Sequence, residues 1–95
     1  MIYSLKYKPK ALKEWKKLDD FLKIQFHKKL KKRLENPRVP KDRLSGYKDV
    51  YKIKLRSSGF RLAYEVKDEE IVVLVLSVGK RENNQIYKNL QKREI

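Results

Sequence analysis

Apolar and polar side chains follow one of two rhythms along most of this chain. Alternation at every second residue is typical of a strand with one buried face. It predicts strands over residues 2–7, about 48–56 and 60–66. A further strand is predicted over residues 71–78, IVVLVLSV, which is apolar at nearly every position and therefore indicates a central strand covered on both faces.

Recurrence every three or four residues predicts two helices between the first and second strands. The first begins at Pro9, because proline is well tolerated at a helix N-terminus, and its apolar stripe is Leu12, Trp15 and Leu18. The second is expected to be capped by Asp19 or Asp20 and to end at Asn36-Pro37.

The second helix has two contrasting sides. Its apolar stripe repeats every four residues and is widened near its start: Leu22, Phe26, Leu30 and Leu34, with Phe21 and Ile24. The opposite side is basic throughout: Lys23, Lys28, Lys29, Lys31, Lys32 and Arg33.

A final helix is predicted after an asparagine at 83 or 84, with Ile86 and Leu90 facing inward. The element order is then β-α-α-β-β-β-α. It predicts a single α+β domain over residues 1–95, in which a mainly antiparallel four-stranded sheet packs against an N-terminal helical hairpin and a C-terminal helix.

The segment YKIKLRSSGFR at residues 51–61 concentrates positive charge on one side of the sheet. Lys52, Lys54 and Arg56 alternate with apolar residues, so one strand face carries three cations. Such a cluster costs repulsion, which an anionic partner would relieve.

The register of this hairpin decides which charges are neighbours. The apolar faces of the two strands must coincide, so a two-residue or a four-residue loop fits and a three-residue loop does not. In the two-residue register, with Gly59 supplying a positive φ, Arg56 faces Arg61, Lys54 faces Ala63 and Lys52 faces Glu65. The small side chain of Ala63 would then leave an open floor, that is, space between the cations in which a ligand could bind.

Composition narrows the classes of partner. The net charge is +14 on 95 residues, which points to a polyanion such as nucleic acid. There is no cysteine, no signal-peptide stretch and no apolar run long enough to span a bilayer. We therefore expect a cytoplasmic protein with no membrane partner.

The residue types also limit the chemistry of a site on this face. Metal-dependent hydrolysis needs clustered carboxylates or histidines, whereas the one histidine, His27, is expected on the surface of the basic helix. No metal and no cofactor are predicted. Metal-free RNA cleavage remains, because RNA supplies its own 2′-OH nucleophile and needs only positioning, charge stabilisation and proton transfer. Tyr87 is a weak acid on the last helix, although periodicity alone favours a core position for it.

The sequence resembles the RelE family of ribosome-dependent mRNA interferase toxins over nearly its whole length. The similarity includes ALKEWKKL at 11–18, YKIKLRSSGFRLAYEV at 51–66 and SVGKRE at 77–82, with Tyr87 beyond. The resemblance implies a RelE-like fold and cleavage of mRNA in the ribosomal A site by 2′-OH attack on the adjacent phosphate. It also implies two partners: a ribosome with its 16S-type rRNA, and an antitoxin, which we expect to be acidic and to wrap the toxin.

The family's catalytic residues fall on Lys52, Lys54, Arg61, Arg81 and Tyr87 here. The resemblance implies that Arg61 and Arg81 stabilise the phosphate and that Tyr87, helped by the lysines, handles the 2′-OH proton. Arg81 is also a candidate acid at the leaving oxygen. Arg56 and Lys80 are expected to bind RNA beside this set. Lys28, Lys31 and Lys32 on the second helix are expected to bind the rRNA backbone.

Two positions depart from the family pattern. Ser45 stands where a relative has arginine, which puts one RNA contact in doubt, and Phe60 replaces a tyrosine on the predicted core face. Two other functions remain open: a ParE-like toxin of the same fold that inhibits gyrase without cutting, and a non-enzymatic RNA-binding module. The catalytic set favours the RNase, and the lack of evident aromatics on the cationic face disfavours the binding module.

Overall fold

The computed structural model describes residues 2–80. Its elements follow the predicted order: β1 (Ser4–Tyr7), α1 (Pro9–Lys16), α2 (Asp20–Glu35), a short 3-10 turn (Pro40–Asp42), β2 (Val50–Leu55), β3 (Phe60–Lys67) and β4 (Val72–Lys80). The predicted C-terminal helix, with Arg81 and Tyr87, lies outside the described residues.

The four strands form one sheet in the order β1-β4-β3-β2. The β2–β3 and β3–β4 pairs are antiparallel, and β1 pairs with β4 in parallel. The α+β architecture is confirmed, and β4 is a central strand as its continuous apolar sequence predicts. β2 is an edge strand, so one row of its backbone groups points away from the sheet.

The helices pack on one face of the sheet because each has a single apolar stripe. Phe26 and Leu30 of α2 join Ile53, Leu62 and Val75 of the strands in the main core. Asp19 caps α2 as predicted, with its carboxylate accepting a hydrogen bond from the Leu22 N–H at 2.9 Å.

Three apolar residues predicted to face inward are exposed instead. Leu12 is 36% exposed, Phe21 67% and Ile24 57%. Ile24 lies two residues from both Leu22 and Phe26, about 200° around the helix, and so points away from the core. On α1 the buried position is Ala11, four residues before Trp15, and not Leu12.

The other face of the sheet is partly covered by the loop before β2. Leu44, Val50, Ala63 and Leu76 form a second apolar cluster, with Tyr47 packed against it. No helix within residues 2–80 is both long and apolar enough to cross a membrane.

Candidate functional site

The β2–β3 hairpin has a four-residue loop, and this corrects the two-residue register. Leu55 pairs with Phe60, which leaves residues 56–59 as the turn, with Gly59 at φ 76°. Lys54 therefore lies opposite Arg61, and Lys52 lies opposite Ala63. Arg56 is in the turn and does not face Arg61 across the sheet.

Two further details of the predicted site are wrong, one because of the register and one because of packing. Glu65 lies opposite Val50 and its carboxylate is 4.0 Å from the Lys67 ammonium, so it does not hold Lys52. Ala63 is only 1% exposed, because Leu44 and Leu76 pack around it. The predicted open floor is a filled apolar cluster.

The open part of this face lies nearer the turn. Lys54, Arg56 and Arg61 line a hollow of about 400 Å³ together with Gly59 and Phe60. Lys52 is one pleat further along β2 on the same face. The structure thus brings together three of the five predicted catalytic residues, Lys52, Lys54 and Arg61, and adds Arg56 at the rim. Arg81 and Tyr87 lie outside the described residues.

The electrostatics of this hollow favour an anion. The charge of Lys52 is the largest cause that lowers the pKa of Lys54, followed by its partial desolvation and the charge of Arg61. Asp42 opposes this shift from the other side of β2. A phosphate would relieve the repulsion, and a lysine with a lowered pKa is better suited to transfer protons.

A second basic cleft lies between α2 and the hairpin turn. It has a volume of about 590 Å³ and is lined by Gln25, Lys28, Lys29, Lys32, Leu55, Arg56 and Ser57. Of the predicted RNA contacts on α2, Lys28 and Lys32 line this cleft, whereas Lys31 is exposed outside it. Arg56 lines both this cleft and the hollow and therefore connects them.

Lys80 and Phe60 form one corner of the site. They are cross-strand partners, and the Lys80 ammonium lies 5.8 Å from the centre of the Phe60 ring. Phe60 is only partly buried against the core, and it also lines the hollow. It is therefore closer to the candidate site than a core position implies.

Two basic residues of α2 have contacts that the sequence reading missed. Arg33 was counted with the exposed basic face, but its side chain is only 15% exposed and reaches the edge of β2. Lys29 contacts the same edge. The available signal was that Arg33 follows Leu30 by three residues, which places it beside the buried stripe.

His27 is exposed, as predicted. Within residues 2–80, no cluster of three or more His, Asp or Glu side chains is arranged to hold a metal ion.

Known proteins with similar sequences identify the family. The family model described as the ParE toxin of type II toxin-antitoxin system, parDE, matches residues 5–85. The chain is 54% identical over 87 residues to a putative RelE-like toxin protein of Escherichia coli, covering 92% of each chain. It is 52% identical over 93 residues to the mRNA interferase toxin RelE of Escherichia coli, covering 98% of each. This chain belongs to the RelE family of toxins.

Solved structures agree with this assignment. A free Escherichia coli RelE carrying two arginine substitutions is 49% identical and superposes with a TM-score of 0.91 over 100% of both chains. RelE from the intact Escherichia coli RelBE toxin–antitoxin complex is 53% identical, with a TM-score of 0.82 over 85% of this chain and 99% of that one. Lys52, Lys54 and Arg61 therefore lie on a RelE fold.

Proposed function

We propose that this RelE-family toxin is a metal-independent endoribonuclease that cleaves mRNA in the ribosomal A site and thereby inhibits translation. The observation that carries the proposal is the cationic hollow, in which Lys54 and Arg61 are cross-strand neighbours and Lys52 follows on the same face. The relatives at 52% identity named mRNA interferase support the same activity.

The chemistry assigned to the hollow is attack of a ribose 2′-OH on the adjacent phosphodiester. Arg61, with Arg81, stabilises the charge that develops on the phosphate oxygens, since a guanidinium donates two parallel hydrogen bonds to them. Lys52 and Lys54, with Tyr87, accept and move the proton of the 2′-OH, and Arg81 protonates the leaving oxygen.

The need for a ribosome follows from the residue types. Lysine, arginine and tyrosine are weaker proton-transfer groups near neutral pH than histidine, so catalysis depends more on how well the substrate is aligned. We assign that alignment to the ribosome. The cleft between α2 and the hairpin turn binds rRNA backbone through Lys28, Lys32 and Arg56, with Lys31 and Lys80 contributing nearby.

The partners proposed for the intact system are the ribosome with its 16S-type rRNA and an acidic antitoxin that wraps the toxin. The RelBE complex supports the antitoxin partner, because the toxin of that complex is 53% identical to this chain. A cytoplasmic location is part of the same proposal, because that is where a toxin would meet translating ribosomes.

A gyrase-inhibiting function is the second candidate, because the matching family model carries the ParE description. The two functions make different demands on the hollow. A toxin that cuts nothing has no need for Lys54 and Arg61 side by side, so we favour the RNase.

Primer extension on translated mRNA tests the proposal directly. With the wild-type protein, we expect cuts within codons on programmed ribosomes, without added metal beyond what the ribosome requires, and no cuts in Arg61→Ala or Arg81→Ala. Intact mRNA with the wild-type protein, together with inhibition of purified gyrase, would favour the second candidate.

A further inference from the structure

Three carbonyls on the outer side of the edge strand β2 accept hydrogen bonds from outside the sheet. The carbonyl of Val50 accepts a hydrogen bond from the Leu44 N–H at 2.9 Å. The carbonyl of Lys52 accepts one from Arg33 Nη1 at 3.3 Å. The carbonyl of Lys54 accepts one from Lys29 Nζ at 3.2 Å. The carbonyl groups of a strand point alternately to its two sides, so these are the three carbonyls of β2 that point away from the sheet. Two of them belong to the candidate catalytic lysines.

Arg33 connects β2 to several other parts of the fold. Its Nη1 also donates to the Tyr64 hydroxyl at 2.9 Å, and its Nη2 donates to Asp42 Oδ2 at 2.6 Å. The Tyr64 hydroxyl in turn donates to the carbonyl of Pro37 at 2.6 Å. One guanidinium therefore joins α2, the 3-10 turn, β2 and β3, which its planar fork of donors allows and a single ammonium does not.

We propose that Arg33 and Lys29 are positioning residues for the RNA-cutting site, acting through the backbone of β2. They hold the strand from its open side, while β3 holds it from the other, so that the Lys52 and Lys54 side chains keep a fixed geometry relative to Arg61. This inference rests on the proposed function. Neither residue needs to touch the reacting phosphate, because both reach the strand edge from the helix side of the sheet.

The physical basis is the sensitivity of aligned catalysis to small displacements. An edge strand held on one side frays more readily than one held on both. A shift of about 1 Å in a catalytic group can cost on the order of a hundredfold in rate. The network also retains Asp42, whose charge opposes the cations Lys52, Arg61 and Arg56 around Lys54.

Single-turnover cleavage by the full-length protein on mRNA-programmed ribosomes tests Arg33. In Arg33→Met we expect the maximal rate at saturating ribosomes to fall about tenfold, with the half-saturating ribosome concentration changed less than about twofold. Arg33→Lys should recover part of the rate, because one ammonium reaches one of the three acceptors.

Arg38→Met is the matched control. Arg38 also donates three hydrogen bonds, to Asp49 and Asp68, but it has no contact with the β2 carbonyls of the lysines. We expect this variant to lose thermal stability while its folded fraction keeps the wild-type maximal rate. A folded Arg33→Met protein that cuts at the wild-type rate overturns the proposal.

Lys29 is tested by the same measurement against a control on the same helix. Lys29→Met should lower the maximal rate a fewfold, beyond any loss of ribosome affinity from its place in the basic cleft. Lys23→Met removes an equal charge elsewhere on α2 and should leave the maximal rate unchanged. Equal rates for the two variants at saturation contradict a positioning role for Lys29.

An NMR titration of the Lys54 side chain gives a readout that does not depend on cleavage. Fraying of β2 loosens the fixed spacing of Lys54 from Lys52 and Arg61, which raises the Lys54 pKa toward its ordinary value. Release of Asp42 acts in the opposite direction, but Asp42 is a smaller cause of the shift than either of these cations, so the net change is a rise. We expect this rise in Arg33→Met and not in Arg38→Met. If the wild-type protein cuts no mRNA but the titration shifts, the proposed function fails, and only the structural hold of Arg33 on β2 remains. An unshifted titration overturns the positioning role in either case.

Discussion

The sheet face that lies away from the helices has two halves with opposite character. Near the β2–β3 turn it is open and cationic, with Lys54, Arg56 and Arg61 around one hollow. Near the loop before β2 it is covered and apolar, with Ala63 enclosed by Leu44 and Leu76. The same strand alternation produces both halves. The comparison teaches that the covered half can stabilise the sheet while the open half concentrates charges that oppose folding.

The largest expected difference between the halves is in activity. Arg61→Ala should reduce mRNA cleavage by about 10²–10³-fold, the usual cost of losing one donor to a developing oxyanion. Primer extension measures this loss.

Lys67→Ala is the control on the same strand. Lys67 lies at the far end of β3, where its ammonium is near Glu65 and Glu70. The Lys67→Ala variant should cleave mRNA at the wild-type rate. Full activity in Arg61→Ala would remove the functional contrast between the halves.

Substitutions in the covered half should change the stability of the fold rather than mRNA cleavage. Ala63→Leu adds volume to a filled cluster and should lower the free energy of unfolding by about 1–3 kcal/mol. Denaturant unfolding measures the change. Open space at Ala63 would accept leucine without loss, so a neutral result would contradict the packing of Leu44 and Leu76 around Ala63.

Anions should stabilise the open half selectively. Inorganic phosphate should raise the melting temperature more than chloride at equal ionic strength, because a bound phosphate screens the repulsion among Lys54, Arg56 and Arg61. The extra rise should shrink in Arg61→Ala and persist in Ala63→Leu. An equal effect of the two anions in the wild-type protein would argue against a phosphate-sized site.

The repulsion between Lys52 and Lys54 should also have a smaller effect, on the pKa of Lys54 and on how stability depends on pH. The folded pKa of Lys54 is lowered mainly by Lys52, so protonation favours the unfolded chain, and the group's contribution to stability improves as pH rises through the folded pKa. In Lys52→Gln the Lys54 pKa should rise toward its ordinary value. A side-chain NMR titration measures it, and an unchanged value would mean that Lys52 does not cause the shift.

The smallest expected effect is at the rim of the hollow. Phe60→Tyr restores the residue type expected from the family pattern and keeps the ring beside Lys80. Because Phe60 is only partly buried, the added hydroxyl can reach solvent, and cleavage and stability should stay within about twofold and 0.5 kcal/mol of the wild type. A large gain in cleavage would show that the hydroxyl itself contacts substrate.

Sequence patterns predicted the elements well because their signals are local. The cap at Asp19, the start of α1 at Pro9 and the apolar run of β4 each depend on a few neighbouring residues. The cations Lys52 and Lys54 were placed on one face for the same reason. The helix stripes were less accurate, since Leu12 and Ile24 are apolar but lie off the faces that the sheet covers.

The hairpin register was harder to predict, because the alternation of apolar residues fits any loop with an even number of residues equally well. Two-residue and four-residue loops both bury the same apolar face, so only the fold shows Lys54 opposite Arg61. The role of Arg33 was hidden for another reason. Its partners, Asp42, Tyr64 and the Lys52 carbonyl, lie 9 to 31 positions away in the chain, and sequence periodicity carries no information about them.

The contacts of Lys29 and Arg33 with β2 also bear on solubility. An exposed strand edge is a template on which another chain can add a strand, and sheet proteins that leave such edges open tend to aggregate. Here the carbonyls of Lys52 and Lys54 are already occupied, and each is occupied by a positive charge. A second molecule approaching β2 would have to break both of these hydrogen bonds before it could pair with the strand. The geometry proposed to align the lysines therefore also discourages edge-to-edge self-association through β2.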